Sequence, residues 1–174
     1  YTQGVELMRQ GKPLEAIKPL QSATTLDPQF AMAFSKLSAA QSALGYDNDA
    51  DESSRKAVDL SNNLSSRERY LILANRARVT HDNEKAIEYY ENLAKGSPED
   101  LDIEMALGGL YEANIVFDKA KERYAFVLQR DPKSADAYLN LGNVYDGLKR
   151  YDDAVSAFET VIRLNPKTAD AHYN

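Results

Sequence analysis

Apolar residues along this chain recur at the spacing of α-helices. Near the C-terminal end, Tyr138, Leu141 and Tyr145 lie three or four residues apart, and Ala154 and Phe158 follow the same spacing further on. Residues at such intervals share one face of a helix. This segment therefore predicts two amphipathic helices in succession.

Prolines give the helix pair a period. Pro98, Pro132 and Pro166 are 34 residues apart, and Pro28 lies 70 residues before Pro98. Because proline pushes the preceding residue out of the α region, each one marks the end of a second helix. We predict a single array over 1–174, with repeats at about 1–30 (partial), 31–66, 67–100, 101–134 and 135–168, and a further helix beginning at 169–174.

Small and large residues recur at equivalent positions of the repeats. Two sets of equivalent positions hold small residues, and a third holds mostly large ones. The small sets are Ala16, Ala50, Ala86, Ala120 and Ala154, and Gly4, Ser38, Ala74, Gly108 and Gly142; the large set is Leu20, Tyr90, Tyr124 and Phe158, with Ser54 as its exception. We expect neighbouring helices to touch at the small residues while the large ones fill the space between repeats.

Local signals mark where helices begin and end. Gly11 and Gly45 fall where the two helices of a repeat should be joined. Ser65 and Glu68 have the spacing of a capping box, in which each side chain bonds the other residue's backbone amide. Pro19 conflicts with the pattern, since proline inside a helix should kink or shorten it.

The segment 135–168 reads Tyr-Leu-Asn-Leu-Gly-Asn-Val-Tyr from Tyr138, followed by Ala154, Phe158 and Pro166. It resembles a tetratricopeptide repeat (TPR), whose period is 34 residues. The resemblance extends over essentially all 174 residues. It implies an all-α fold, a right-handed α-solenoid superhelix of antiparallel helix pairs, in which the first helices line a concave groove that binds a peptide or helix. The segment 63–100 is also similar to TPR tracts of large bacterial signalling proteins.

The family geometry assigns groove-facing positions to this chain. Apolar and acidic side chains dominate them, which implies a partner with apolar anchors and basic flanks. The predicted groove residues are Leu71, Ile72, Asn75, Arg78, Asp102, Met105, Asp136, Leu139, Asn140 and Asn143. A solvated acidic face is the alternative interpretation, because helix dipoles favour acidic residues in the first turn anyway.

One known TPR ligand is excluded by the residue types. TPR domains that hold the C-terminal carboxylate of chaperones use Lys at the position of Leu139 and further Lys or Arg at those of Asp136 and Asn140. No repeat of this chain has Lys at the Leu139 position, and Asp102 and Asp136 would repel a carboxylate. We therefore do not expect a chaperone tail as the partner.

Charge and composition narrow the functional classes further. The chain has no cysteine. Its net charge of −6 disfavours nucleic acid and anionic membranes as partners. Residues 1–87 carry 11 basic and 11 acidic side chains, whereas 88–174 carry 10 and 16. No apolar run could span a bilayer and no signal peptide begins the sequence, so we expect a cytoplasmic location. The start at Tyr1, without Met, suggests a fragment of a longer chain.

Residues for catalysis or metal binding do not converge. The two histidines, His81 and His172, are about 90 residues apart and cannot meet in a solenoid. The run Asp47–Asp51 imitates the start of a calcium loop, but Glu52 replaces its glycine and Val58 its closing Glu. We therefore expect no enzyme activity, cofactor or metal.

Three functions fit these patterns. The first is a non-catalytic scaffold that binds a peptide or helix of a partner protein in the groove. The second is self-association, with Val5 and Tyr173 in the contacts. The third is an arm that recruits substrates to a kinase, cyclase or transferase domain of a longer protein.

Overall fold

The computed structural model describes residues 1–166, which contain ten α-helices and no β-strand. Odd-numbered helices are the first helices of the repeats and even-numbered ones the second helices. The helices are α1 Thr2–Arg9, α2 Pro13–Leu26, α3 Ala31–Ala43, α4 Asp47–Asp59, α5 Ser66–Val79, α6 Asn83–Gly96, α7 Leu101–Ala113, α8 Phe117–Arg130, α9 Ala135–Gly147 and α10 Tyr151–Leu164.

The chain forms two compact units. Unit 1, Tyr1–Gly96, holds α1 to α6, and unit 2, Ser97–Asn174, holds α7 to α10. Within each unit a second helix contacts its own first helix and the first helix of the next repeat, as α4 contacts α3 and α5, and α8 contacts α7 and α9. First helices also contact one another, α1 with α3, α3 with α5, and α7 with α9. This is the stacking of an all-α solenoid.

The small residues allow the helices of a pair to approach closely. All five alanines of the first small set are at most 4% exposed, as the sequence predicts. A Cβ placed on Gly108 would lie 2.4 Å from Cε1 of Tyr124, and one on Gly142 would lie 2.4 Å from Cε1 of Phe158. Real side chains do not approach to such distances, so each large ring occupies the space that the glycine leaves.

The turns inside the repeats share one backbone conformation. Gly11 and Gly45 adopt φ of +68° and +74°, and they join two helices as predicted. The equivalent residues His81, Ile115 and Lys149 adopt φ of 56° to 60° without being glycine. This left-handed region costs an L-residue about 1–2 kcal/mol. The cost is most evident at Ile115, which is β-branched and 75% exposed.

Two other local signals have different outcomes. The capping box is confirmed: the Glu68 amide donates to Ser65 Oγ at 3.3 Å, and the Ser65 amide donates to Glu68 Oε2 at 3.1 Å. The expected shortening of α2 at Pro19 is wrong, because the helix continues to Leu26. Ala16 and Leu20, on either side of Pro19, are fully buried, and this packing offsets the missing hydrogen bond.

Adjacent glycines of α7 provide a direct test of the packing. Gly108→Ala should lower the free energy of unfolding by about 1–3 kcal/mol, because its methyl group would overlap the Tyr124 ring. Gly109→Ala should raise it by about 0.5–1 kcal/mol, because its Cβ would lie 3.8 Å from the nearest atom, the Tyr124 hydroxyl, and alanine favours helix. Urea unfolding measures both, and equal effects would contradict the packing.

Relief of the turn strain provides a second test. Ile115→Gly should raise the free energy of unfolding by about 1 kcal/mol, because glycine adopts the left-handed conformation without a steric cost. Gly45→Ala, at the equivalent turn, should lower it by a similar amount. Thermal unfolding compares the two variants, and a destabilised Ile115→Gly protein would show that Ile115 contributes packing instead.

Candidate partner-binding faces

The first helices present the predicted groove residues on two separate surfaces. The unit-1 face belongs to α1, α3 and α5, and the unit-2 face belongs to α7 and α9. Leu71, Ile72, Asn75 and Arg78 lie on α5, Asp102 and Met105 on α7, and Asp136, Leu139, Asn140 and Asn143 on α9. Each face is described within its own unit.

The unit-1 face contains a pocket of about 240 Å³. Only first helices contribute to it. Its walls include Met8 of α1, Ala39 and Ser42 of α3, and Asn75, Arg78 and Val79 of α5. Two of the predicted groove residues, Asn75 and Arg78, are thereby brought together in one concave site.

Asn75 also holds α5 against α3. Its side-chain Nδ2 donates to the Ser35 carbonyl oxygen at 3.0 Å and to Ser38 Oγ at 2.7 Å, while Ser38 Oγ donates to the same carbonyl at 2.8 Å. The Ser35 carbonyl oxygen can only accept a hydrogen bond, so the Asn75 atom that faces it must be the donor Nδ2. This fixes the orientation of the Asn75 amide. The sequence pattern identified Asn75 as a surface residue but not its role in joining two repeats.

Ile72 is not a groove residue, which corrects the prediction. Its side chain is 1% exposed and belongs to a core cluster with Phe34 and Ala57. The physical reason is the turn of about 100° between successive helix residues. This turn directs Ile72 into the interior beside α4, while Leu71 stays half-buried.

The unit-2 face carries the remaining predicted residues. On α9, Asp136, Leu139 and Asn143 are all exposed and lie three and four residues apart, on one side of the helix. On α7, Asp102 is exposed and Met105 is half-buried. Because α7 contacts α9, these side chains belong to one surface of the unit.

A residue that the groove prediction did not include lies beneath this surface. Tyr124 comes from α8, its side chain is fully buried, and its hydroxyl donates to Glu112 Oε2 of α7 at 2.9 Å. The side chain of Asn140 of α9 lies near enough to lower the pKa of this hydroxyl. Tyr124 therefore lies where α8 packs against both first helices of the unit. In the sequence, the signal for this role was the hydroxyl group of Tyr124, because the equivalent residues Phe158 and Leu20 carry no hydroxyl.

The environment of Tyr124 raises the pKa of its hydroxyl above the ordinary value of 10. Burial is the largest cause, and the hydrogen bond to Glu112 and the negative charge of that residue act in the same direction. Asn140 acts in the opposite direction. Asn140 itself is half-buried, so it is less accessible to a partner than the exposed Leu139 and Asn143.

A buried ion pair explains one departure from the repeat pattern. Glu104 takes the place that Tyr138 has in the next repeat, yet it is only 4% exposed. Its Oε2 accepts from Arg123 Nη1 of α8 at 3.2 Å, which compensates for the buried charge. This pair packs α7 against α8, the role that tyrosine fills elsewhere.

Residues 1–166 contain neither a membrane-spanning helix nor a cluster of metal ligands. No helix in this range combines the length and the apolar character needed to cross a bilayer. Nor does the range contain three or more His, Cys, Asp or Glu side chains placed to hold one metal ion. The predicted helix at 169–174, His172 and the predicted contact residue Tyr173 lie outside the described residues.

Comparison with known families identifies the repeat. Residues 135–168 match the family model of the tetratricopeptide repeat. Residues 135–168 form a tetratricopeptide repeat, and the chain has the solenoid fold of TPR proteins. No curated protein sequence matches it significantly.

Solved TPR structures resemble the chain over almost all of its length. A crystal structure of MamA shares 27% identity at a TM-score of 0.60, covering 96% of both chains. TTC0263, a thermophilic TPR protein of Thermus thermophilus, shares 21% identity at 0.74, covering 99% of this chain and 93% of its own. YrrB, described as a TPR protein with an unusual peptide-binding site, shares 18% identity at 0.60, covering 94% and 83%. The TPR fold is that of a protein-interaction scaffold.

The Tyr124 hydroxyl predicts a specific pH dependence. The folded chain keeps the phenol protonated above pH 10, whereas the unfolded chain ionises it there, so rising pH favours unfolding. Above about pH 10, wild-type stability should fall more steeply than that of Tyr124→Phe, by up to about 1.4 kcal/mol per pH unit.

Urea unfolding of both proteins between neutral pH and about pH 11 tests this dependence. At neutral pH, Tyr124→Phe should be less stable by about 1 kcal/mol, because Glu112 loses a hydrogen-bond donor. Parallel stability curves at high pH would show that the phenol ionises as easily in the folded chain as in the unfolded one.

Proposed function

We propose that this chain is a non-catalytic scaffold that binds a polypeptide segment of a partner protein on the unit-2 face. An apolar side chain of the partner packs against Leu139 and Met105. Basic side chains of the partner lie near Asp136 and Asp102.

The exposure of Leu139 is the observation that supports this proposal most directly. It is 43% exposed in the middle of α9, whereas Leu141, two residues on, is 8% exposed and packed inside the repeat. The flanking residues Asp136 and Asn143 are polar and exposed. A large apolar side chain that remains in water on a first helix, inside a polar rim, has the character of a binding anchor.

The charge of the unit-2 face supports basic residues in the partner. Asp136 makes no ion pair with any residue in 1–166. Glu112 and Asp146 add acidic groups on the same first helices. Such a surface attracts a cationic segment and accelerates its association. The helix dipole accounts for acidic residues in the first turn of a helix, but it does not account for the exposure of Leu139.

The unit-1 face contributes separate contacts in this proposal. Leu71 is half-buried, and Arg78 is exposed beside Asn75 in the pocket. Leu71 provides apolar contact area, and Asn75 and Arg78 provide polar groups. Ile72 supports them from the core instead of touching the partner.

A second candidate function has its own support. The last described helix, α10, exposes Tyr151, Val155 and Ile162, which are 60%, 55% and 52% exposed. Their spacing of four and seven residues places them along one side of the helix. Self-association through this side of α10 is therefore the alternative to partner binding on the first helices.

Charge reversal at matched apolar positions distinguishes the two functions. Leu139→Glu should weaken binding of peptides selected from a displayed random library by about tenfold or more, because the anchor is lost and an acid is added. Val155→Glu, at an apolar position of α10 that is 55% exposed, should leave their affinity unchanged. Fluorescence anisotropy measures the affinities, and circular dichroism confirms that both variants fold.

The mass of the protein in solution completes this test. The proposed function predicts a mass that is independent of concentration and of both substitutions. A mass that rises with concentration and falls in Val155→Glu, together with no selected peptides, would establish self-association and overturn the proposal.

A further inference from the structure

We infer that the unit-1 pocket recognises an acidic side chain of a polypeptide partner, with Arg78 as the residue that holds it. This inference rests on the proposed function in taking the ligand to be a polypeptide. It adds a second preference, opposite in charge to that of the unit-2 face.

Arg78 is the one charged residue among those that line the pocket. The other wall residues, including Met8, Ala39, Ser42 and Asn75, are uncharged. Arg76, two residues earlier, contrasts with Arg78, because it bonds Asp51 and donates to Ser54 Oγ at 2.7 Å. No carboxylate in residues 1–166 pairs with Arg78, so its guanidinium remains available to an anion.

Asn75 places a hydrogen-bond acceptor next to this cation. Both hydrogen bonds of its Nδ2 go to α3, and none of the residues in 1–166 donates to its Oδ1. Residues three apart on a helix are neighbours, with Cβ atoms about 5–6 Å from each other. The pair therefore complements an amino acid whose backbone N–H faces Asn75 and whose carboxylate faces Arg78.

The size of the pocket favours one side chain. Its volume of about 240 Å³ is below the roughly 300–1,000 Å³ of sites for free small molecules. A chain-terminal carboxylate is a poorer ligand, because the Asn75 amide hydrogens are already used and Arg78 is the sole cationic donor of the pocket wall. An aspartate or glutamate within a polypeptide segment can be held by the Arg78 guanidinium and the Asn75 Oδ1 acceptor alone.

The equivalent positions in unit 2 carry the opposite charge. Glu112 and Asp146 occupy the places that Arg78 has in its repeat, and Met8 and Ser42 are the uncharged equivalents in unit 1. A preference for an acidic side chain therefore belongs to the Arg78 pocket alone. A segment that enters this pocket therefore carries an acidic residue.

A charge exchange tests the assignment. Peptides are selected from a displayed random library on the whole chain and then synthesised with amidated C-termini. Wild-type peptides should be enriched in Asp or Glu, and their affinity should fall about threefold to tenfold in Arg78→Glu. Replacing the peptide's acid with Lys should restore affinity for Arg78→Glu and weaken binding to wild type.

The control is Arg69→Glu, which makes the same charge change on α5 outside the pocket. It should leave affinity and peptide preference unchanged. Arg78→Gln should give an intermediate loss, since it removes the cation without adding an acid. Circular dichroism and thermal unfolding confirm the fold of each variant.

The outcomes separate this inference from the proposed function. Peptides that need Leu139 but show no acidic preference would overturn the inference and leave the proposed function standing. A loss of stability in Arg78→Glu with unchanged preference would assign Arg78 to balancing the α5 dipole. Binding that requires a free C-terminal carboxylate would assign the pocket to chain ends. If no peptide is selected, both proposals fail.

Discussion

The rest of the structure depends on contact between a small residue of a first helix and a large residue of its second helix, which three of the five helix pairs show at a glycine. At Gly108 and Gly142 the space for a Cβ is already filled by the rings of Tyr124 and Phe158, and at Gly4 it is filled by Leu20. These contacts bring the helices of a pair together, and second-helix side chains thereby fill the interior. Positions of the first helices that are not used in this packing remain in solvent, where a partner can reach them.

Tyr124 shows how packing and surface chemistry are connected. Its ring occupies the space above Gly108, and its hydroxyl donates a hydrogen bond to Glu112 of α7. One side chain therefore fills the core and holds a carboxylate of a first helix in place. In unit 1, Asn75 has the corresponding task, since it ties α5 to α3 while it lines a pocket.

The 34-residue period was sufficient to predict the helix pairs, the buried small residues and the turns at Gly11 and Gly45, because these follow from local spacing. Which side of a first helix meets the preceding second helix was harder to predict. Side chains of successive helix residues point about 100° apart, so an error of one position moves a side chain from the surface towards the interior. For this reason Ile72 is buried and Asn140 is half-buried, whereas the groove assignment required both to be exposed. The Asn75 hydrogen bonds and the continuation of α2 through Pro19 depend on tertiary contacts that no single repeat contains.

Amide hydrogen exchange of the whole chain, with and without a selected peptide, tests most directly whether the first helices form the binding surface. Helices that close over a ligand open less often and exchange more slowly. We expect slower exchange in α7 and α9 when the peptide is bound, and unchanged exchange in α10. Protection confined to α10, with exchange in α7 and α9 unaltered, would contradict it.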